Sequence, residues 1–128
     1  MTNVELVKEA YSNFATGNVP AVLALFDPAI EWRECKGMPF VKGDGVFIGS
    51  ESIVENVFMN LPVFFDGFNI SVSELFGTEN KVVMVGYYQG TNKATGNYFK
   101  ANATHVWSVK DGKLTHFFQA VDTVTIIK

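Results

Sequence analysis

The feature that most constrains the fold is a series of four strand-like segments that fills the second half of the chain. These segments are rich in β-branched and aromatic residues and cover positions 66–77, 81–92, 97–109 and 114–122. Short stretches rich in Gly, Asn, Asp and Thr separate them, as in hairpin connections. Because connections this short join antiparallel neighbours, the pattern predicts an antiparallel meander.

The first half of the chain carries helical periodicity instead. Apolar spacing and capping residues predict helices at 3–16, 19–26 and 51–61, with a short strand beginning at Ala29. The stretch Lys36–Gly49 has four glycines, one proline and no sustained period, which predicts a long loop. Helices followed by a meander predict an α+β fold, and a chain of 128 residues predicts a single domain, 1–128.

Composition narrows the class of partner. The chain is 48% apolar and contains 12 Phe, more than a core of this size needs, which favours an aromatic-lined cavity or an apolar sheet face that pairs with a second subunit. A net charge of −3 without clustered Lys or Arg argues against nucleic acid as a partner. No apolar run is long enough to cross a membrane, and Glu5 and Glu9 interrupt the N-terminus where a signal peptide is apolar, so we expect a cytoplasmic protein.

Sequence motifs for cofactors and metals are missing. Cys35 is the single cysteine, so the chain has neither an internal disulfide nor a Cys/His zinc pattern. No P-loop, dinucleotide-binding glycine pattern or nucleophile elbow occurs. We therefore expect no cofactor and no metal, and we expect Cys35 to be an inert structural thiol.

Four stretches of the chain resemble a known superfamily: FATGNVPAVLALFDPAIEW, YYQGTNKATGNYF, HVWSVKDGKL and FFQAVDT. They resemble the cone-shaped α+β barrel proteins, which include nuclear transport factor two, scytalone dehydratase, ketosteroid isomerase and the SnoaL-like polyketide cyclases. Trp32, Glu34, Gly37 and Pro39-Phe40 are similar to the arrangement in SnoaL-like, ketosteroid isomerase-related proteins. The resemblance covers nearly the whole chain. It implies a curved, mixed but mostly antiparallel sheet that wraps around the N-terminal helices and forms a conical barrel with an internal pocket.

Glu34 is the main catalytic candidate. It shares a strand face with Ile30 and Trp32, so its carboxylate is predicted to point toward the apolar interior, where burial raises the pKa of a carboxyl toward neutrality. The resemblance places Glu34 where ketosteroid isomerase has its carboxylate base. The alternative is a glutamate at the strand end that reaches solvent or binds a loop amide.

His105 is the second candidate. The resemblance places it where the isomerase has a protonated aspartic acid that donates to the developing oxyanion, a role open to a neutral imidazole or to an imidazolium paired with Glu34. The alternative is a core histidine. The isomerase's other donor, a tyrosine, corresponds to Ala10 here. Tyr11 lies about 100° further round the helix and is predicted to be a core residue, while Tyr88 is a candidate replacement for the missing hydroxyl.

The last strand contributes two further candidates. Gln119, which shares a face with Phe117, suits a hydrogen bond in the pocket. SnoaL-like cyclases use a late aspartate as general acid/base, which makes Asp122 a catalytic candidate, with a cap of a C-terminal turn as the alternative. The remaining predicted substrate-binding residues share a bulky apolar side chain and are Trp32, Phe40, Met84 and Trp107.

Three functions fit these features. The first is a cofactor-independent enzyme, an isomerase or a cyclase, in which Glu34 moves a proton on a small hydrophobic carbonyl compound. The second is a non-catalytic ligand-binding domain, favoured by the absence of a tyrosine at position 10. The third is an association module that forms a homodimer through the outer sheet face around Tyr87 and Phe118. The glycines of the 36–47 loop permit it to close over a pocket.

Overall fold

The computed structural model describes residues 1–128 as five α-helices, one 3-10 turn and a six-stranded sheet. The helices are α1 (Asn3–Ala15), α2 (Val19–Leu23), α3 (Ser50–Asn56), α4 (Leu61–Phe64) and α5 (Thr123–Ile127), and the 3-10 turn is Phe58–Asn60. The strands are β1 (Phe26–Arg33), β2 (Val46–Ile48), β3 (Phe65–Gly77), β4 (Lys81–Asn92), β5 (Tyr98–Lys110) and β6 (Lys113–Val121). None of the helices is both long and apolar enough to pass through a membrane.

The strand order β2-β1-β6-β5-β4-β3 confirms the predicted meander and the mixed, mostly antiparallel sheet. Strands β3 to β6 pair antiparallel in chain order, and only β1 and β6 pair in parallel. The β5–β6 turn shows why the hairpins could be predicted: Asp111 and Gly112 have φ values of 50° and 73°, as a two-residue type I′ turn requires.

Curvature of the sheet comes from irregular pairing between β3 and β4. The register of β3 against β4 shifts between Asp66 and Asn69 and again between Val72 and Glu74, and such bulges bend a strand. Gly86 allows the close approach: a Cβ at this position would lie 2.0 Å from the carbonyl oxygen of Ser71. The bent sheet packs against α1, α3 and α4, and its inner face carries the main hydrophobic core.

Several boundaries differ from the prediction. Helix α2 ends at Leu23, and the chain is already in β1 at Phe26. The third predicted helix breaks at Val57, and Pro62 lies in the first turn of α4, where a missing N–H is tolerated, so this proline does not end a helix. The end of the predicted loop forms β2, which pairs with residues 31–33 of β1.

Candidate functional site

A cavity lies between α1, the inner face of the sheet and the loop that follows β1. It encloses about 50 Å³ of free space, several times the roughly 10–15 Å³ that one water molecule needs. Of its 19 lining residues, 16 are hydrophobic, so the wall is apolar with a few polar groups. Met38 and Phe40 close the cavity from the loop side and are themselves buried.

Glu34 lies at the end of β1 and is only 4% exposed. Its backbone N–H donates to the carbonyl oxygen of Gly45 (2.8 Å), which fixes the start of the loop. The prediction that Glu34 faces the interior is confirmed. Of the two alternatives, the solvent-exposed strand end is wrong, whereas a bond to a loop amide is present, from the backbone N–H of Cys35. The carboxylate lines the cavity on the same side as Trp32.

The hydrogen bonds to the Glu34 carboxylate are long. One oxygen accepts from Trp32 Nε1 and the other from the backbone N–H of Cys35, each at 3.4 Å. Burial raises the pKa of Glu34 from 4.5 to about 7, and these two hydrogen bonds oppose the shift without cancelling it. Glu34 therefore changes between its acid and base forms near neutral pH.

His105 is buried on β5 and is bound by tyrosine hydroxyls at both ring nitrogens. The hydroxyl of Tyr11 lies 2.7 Å from Nδ1 and the hydroxyl of Tyr88 lies 2.5 Å from Nε2. Tyr88 also donates to Oε1 of Gln119, and Trp107 Nε1 donates to the Tyr11 hydroxyl oxygen at 2.9 Å. These five side chains form one hydrogen-bonded chain along the cavity wall.

The imidazole of His105 is neutral. Burial lowers the pKa of His105 to about 3, and the Gln119 side chain only partly opposes this shift. An imidazolium paired with Glu34 is therefore excluded near neutral pH. Because both ring nitrogens are taken, His105 presents no N–H to the cavity, which corrects the expectation that it acts as a direct donor.

Tyr11 was predicted to be a core residue, and it is the polar cavity residue that the sequence prediction missed. Both Ala10 and Tyr11 line the cavity, and the Tyr11 hydroxyl bonds to His105 and Trp107. The helical period correctly separates the two Cα–Cβ directions, but the length of the tyrosine side chain carries its hydroxyl across to the sheet. The available signal in the sequence was a small residue, Ala10, next to a long one, Tyr11, because the small side chain leaves space that the long one can reach into. Burial raises the pKa values of Tyr11 and Tyr88, so both hydroxyls stay protonated.

The predicted apolar wall residues divide into two groups. Trp32, Phe40 and Trp107 line the cavity, and the ring of Trp32 stacks on Phe117 with centroids 3.8 Å apart. Met84 is fully buried but does not line the cavity, so this part of the prediction is wrong. Its Sδ lies 3.0 Å from the place that a Cβ would take on Gly86, which shows that its side chain fills the space left by the glycine.

Asp122 does not reach the cavity. It is exposed at the end of β6, where its carboxylate accepts from the backbone N–H of Thr125 (3.3 Å) and from the Thr125 hydroxyl (2.5 Å). Both bonds lower the pKa of Asp122 below its ordinary value. Strand alternation places Asp122 on the face opposite Gln119, so the capping interpretation is confirmed and the prediction of a catalytic acid/base is corrected.

The remaining candidates carry no further site. The Sγ of Cys35 lies 3.5 Å from the carbonyl oxygen of Lys36 and 3.9 Å from that of Val121, with no histidine partner. His116 is exposed on the outer face of β6. No three His, Cys, Asp or Glu side chains are arranged to bind a metal ion.

The chain matches the family model of the SnoaL-like domain over residues 7–117. It is similar in structure to an NTF2-like protein from Burkholderia thailandensis E264, with 34% identity, a TM-score of 0.92, and coverage of 99% of this chain and 95% of that one. A second NTF2-like protein, from Burkholderia pseudomallei K96243 and of unknown function, is 25% identical, with a TM-score of 0.88 and coverage of 99% and 96%.

A third similar structure is that of a protein co-crystallised with an organic acid. TerC, co-crystallised with polyporic acid, is 24% identical to this chain, with a TM-score of 0.86 and coverage of 98% of this chain and 95% of that one. Among curated proteins, none matches this sequence. The family match over most of the chain and the agreement in fold lead to one conclusion: this chain belongs to the SnoaL-like domain family and has the NTF2-like fold.

Proposed function

We propose that this protein binds a small apolar carbonyl compound in its cavity and moves a proton at the carbon next to the carbonyl group, without a cofactor. The observation that supports this most directly is the burial of Glu34 in an apolar wall, which raises its pKa to about 7. A general base is most effective when its pKa lies near the working pH. Its two long hydrogen bonds leave the carboxylate free to exchange partners for a ligand.

Gln119 supplies the matching hydrogen-bond donor. Trp32 pairs with Phe117 in the parallel β1–β6 ladder, so Glu34 and Gln119 each lie two residues further on adjacent strands, and such strands are about 4.8 Å apart. The Gln119 amide nitrogen makes no hydrogen bond within the protein. Since every fully buried side-chain nitrogen or oxygen has a hydrogen-bond partner, this nitrogen is not fully buried. Gln119 lines the cavity, so its amide nitrogen faces the cavity. A donor in an apolar site stabilises the negative charge that develops on the carbonyl oxygen.

The cavity volume defines the size of the ligand. About 50 Å³ is less than the roughly 150 Å³ of a cavity that binds benzene, so a cyclic ketone requires movement of wall residues such as Met38 and Phe40 on the loop. TerC, which shares the fold, was co-crystallised with polyporic acid. We therefore select compact cyclic ketones as the first probes.

The test measures exchange of the α-protons of 2-tetralone for deuterium in D₂O by proton NMR. We expect exchange above the buffer rate with the wild-type protein and a loss of about a thousandfold in Glu34→Gln, since a general base contributes roughly 10²–10⁴-fold. Asp122→Asn is the matched control because it removes an exposed carboxylate and keeps its cap. Binding of the ketone without exchange by the wild type contradicts the catalytic proposal.

A non-catalytic ligand carrier is the second candidate. It is favoured by Ala10, which stands where the isomerase has its tyrosine donor, and by the tyrosine bonds that occupy both nitrogens of His105. For a carrier, 2-tetralone raises the melting temperature, no exchange occurs, and Glu34→Gln changes affinity alone. For an enzyme, Glu34→Gln keeps ligand affinity within about tenfold and removes turnover.

We also propose that the outer face of the sheet forms a homodimer. The register aligns four apolar side chains in one row across β3 to β6, and the terminal ones, Phe76 and Phe118, are 53% and 48% exposed. The two others are Val83 and Val106. We expect Phe118→Lys to shift a dimer to a monomer in sedimentation equilibrium. Val63→Lys, at an exposed apolar position on α4, is the control that leaves the mass unchanged.

A further inference from the structure

Each side chain between Trp107 and Gln119 in the hydrogen-bonded chain along the cavity wall has a single proton to donate. The direction of the bonds therefore determines which nitrogen of His105 is protonated. Each tyrosine hydroxyl donates one proton, a neutral imidazole donates one, and an indole N–H only donates. Trp107 therefore always donates to the Tyr11 oxygen. The remaining bonds, from Tyr11 through His105 and Tyr88 to Gln119, run in one direction or the other.

In the structure the chain ends on an acceptor, Oε1 of Gln119. Because the single Tyr88 proton is donated there, His105 Nε2 must carry the proton that it donates to the Tyr88 oxygen. Nδ1 is then unprotonated and accepts from Tyr11. In this direction every hydroxyl and both ring nitrogens are satisfied, and the amide nitrogen of Gln119 is directed to the cavity.

The opposite direction leaves a proton without a partner. If the Gln119 amide is turned, its nitrogen donates to Tyr88, Tyr88 donates to Nε2, and Nδ1–H donates to the Tyr11 oxygen. That oxygen already accepts from Trp107, and the Tyr11 hydroxyl has no other protein partner. An unpaired hydroxyl against an apolar wall is unfavourable, so the first direction is preferred when no ligand is present.

We infer that Gln119 is a positioning residue that holds His105 as the Nε2–H tautomer, and that the cavity therefore offers its ligand one neutral donor, the Gln119 amide, beside Glu34. All the protons of Tyr11, Tyr88 and His105 are used within the protein. The ligand class that this arrangement selects has an uncharged acceptor oxygen, such as a ketone. This second part deepens the proposed function and rests on it, whereas the tautomer depends only on the hydrogen bonds.

The tautomer is measured by long-range ¹⁵N–¹H correlation NMR on the full chain labelled with [¹⁵N]histidine, without ligand. His116→Gln assigns the signals, since the chain has two histidines. We expect the Nε2–H tautomer in the wild type and a mixture of both tautomers in Gln119→Met, where one hydroxyl is unpaired in either direction, that of Tyr88 with Nε2–H and that of Tyr11 with Nδ1–H. Tyr11→Phe is the control: His105 Nδ1 then has no partner, and an unpaired acceptor nitrogen costs less than an unpaired N–H, so the tautomer stays Nε2–H.

An Nδ1–H signal in the wild type overturns the inference, and this spectrum decides even if Gln119→Met does not fold. An unchanged tautomer in folded Gln119→Met also overturns it.

The ligand part is tested by NMR titration with cyclohex-2-enone and with cyclohexene, which has no acceptor. We expect Gln119→Met to weaken enone binding about tenfold, the value of one hydrogen bond, and cyclohexene binding by less than about twofold. Equal effects on both ligands exclude the amide as the donor, and neither readout depends on turnover.

Discussion

Two carboxylates at the same end of the sheet behave in opposite ways. Glu34 follows β1 and Asp122 follows β6, and these strands are parallel neighbours. Glu34 lies in the apolar cavity and its pKa is raised to about 7, whereas Asp122 lies in solvent and its pKa is lowered. The difference teaches that the face of the strand, rather than the position along the chain, decides which carboxylate is a candidate base.

Hydrogen bonding widens the difference that burial creates. Asp122 accepts two bonds from Thr125, which stabilise its charged form and tie it to α5. Glu34 accepts two long bonds, which are too weak to offset the loss of hydration. Asp122 is therefore a structural cap whose carboxylate is already hydrogen-bonded, whereas the weakly bonded carboxylate of Glu34 is available for proton transfer.

After the loss of exchange in Glu34→Gln, the largest expected effect that separates the two carboxylates is the pH dependence of ketone exchange. Since only ionised Glu34 is a base, the 2-tetralone exchange rate should rise about tenfold per pH unit below 7 and level off above it, a total of about a hundredfold from pH 5 to 8. His105 stays neutral throughout this range. Asp122→Asn should leave the profile unchanged, and a midpoint near 4.5 instead of 7 would show that Glu34 is not the base.

The second effect concerns the free energy of unfolding. The folded pKa of Glu34 is about 7 against an ordinary 4.5, so the native state binds more protons and stability is lost as pH rises from 4.5 to 7. The folded pKa of His105 is about 3 against 6.5, so stability is gained as pH rises from 3 to 6.5. Between pH 4.5 and 6.5 the two contributions oppose each other.

Glu34→Gln separates these contributions in urea denaturation experiments. The variant should gain stability up to pH 6.5, where the wild type stays nearly constant, and above pH 7 it should exceed the wild type by about 3 kcal/mol. Asp122→Asn should show no such gain above pH 7. If Glu34→Gln follows the wild type at every pH, the carboxyl is not desolvated in the native state.

The sequence predicted the strands and the direction of Glu34 because both depend on local rules. Short turns restrict the meander to one topology, and alternation with Trp32 is enough to orient Glu34. The reach of the Tyr11 side chain and the depth of Met84 depend on which element packs opposite each residue, so a period cannot supply them. Strand β2 has only three residues, too few for a period, and Pro62 is compatible with either the end or the start of a helix.

The smallest expected effect tests Asp122 as a cap. Asp122→Ala removes both bonds to Thr125, so we expect the melting temperature to fall by about 3 °C, with faster hydrogen exchange in α5. Asp122→Asn should retain most of the stability, because asparagine caps helices as well as aspartate does. The rest of α5 stays anchored by buried Ile126, whose carbonyl oxygen accepts from Asn92 Nδ2 at 3.1 Å, so the loss remains local. If Asp122→Ala loses ketone exchange while α5 stays protected, the assignment of Asp122 as a structural cap is wrong. With α5 intact, removal of a cap has no means of changing the cavity.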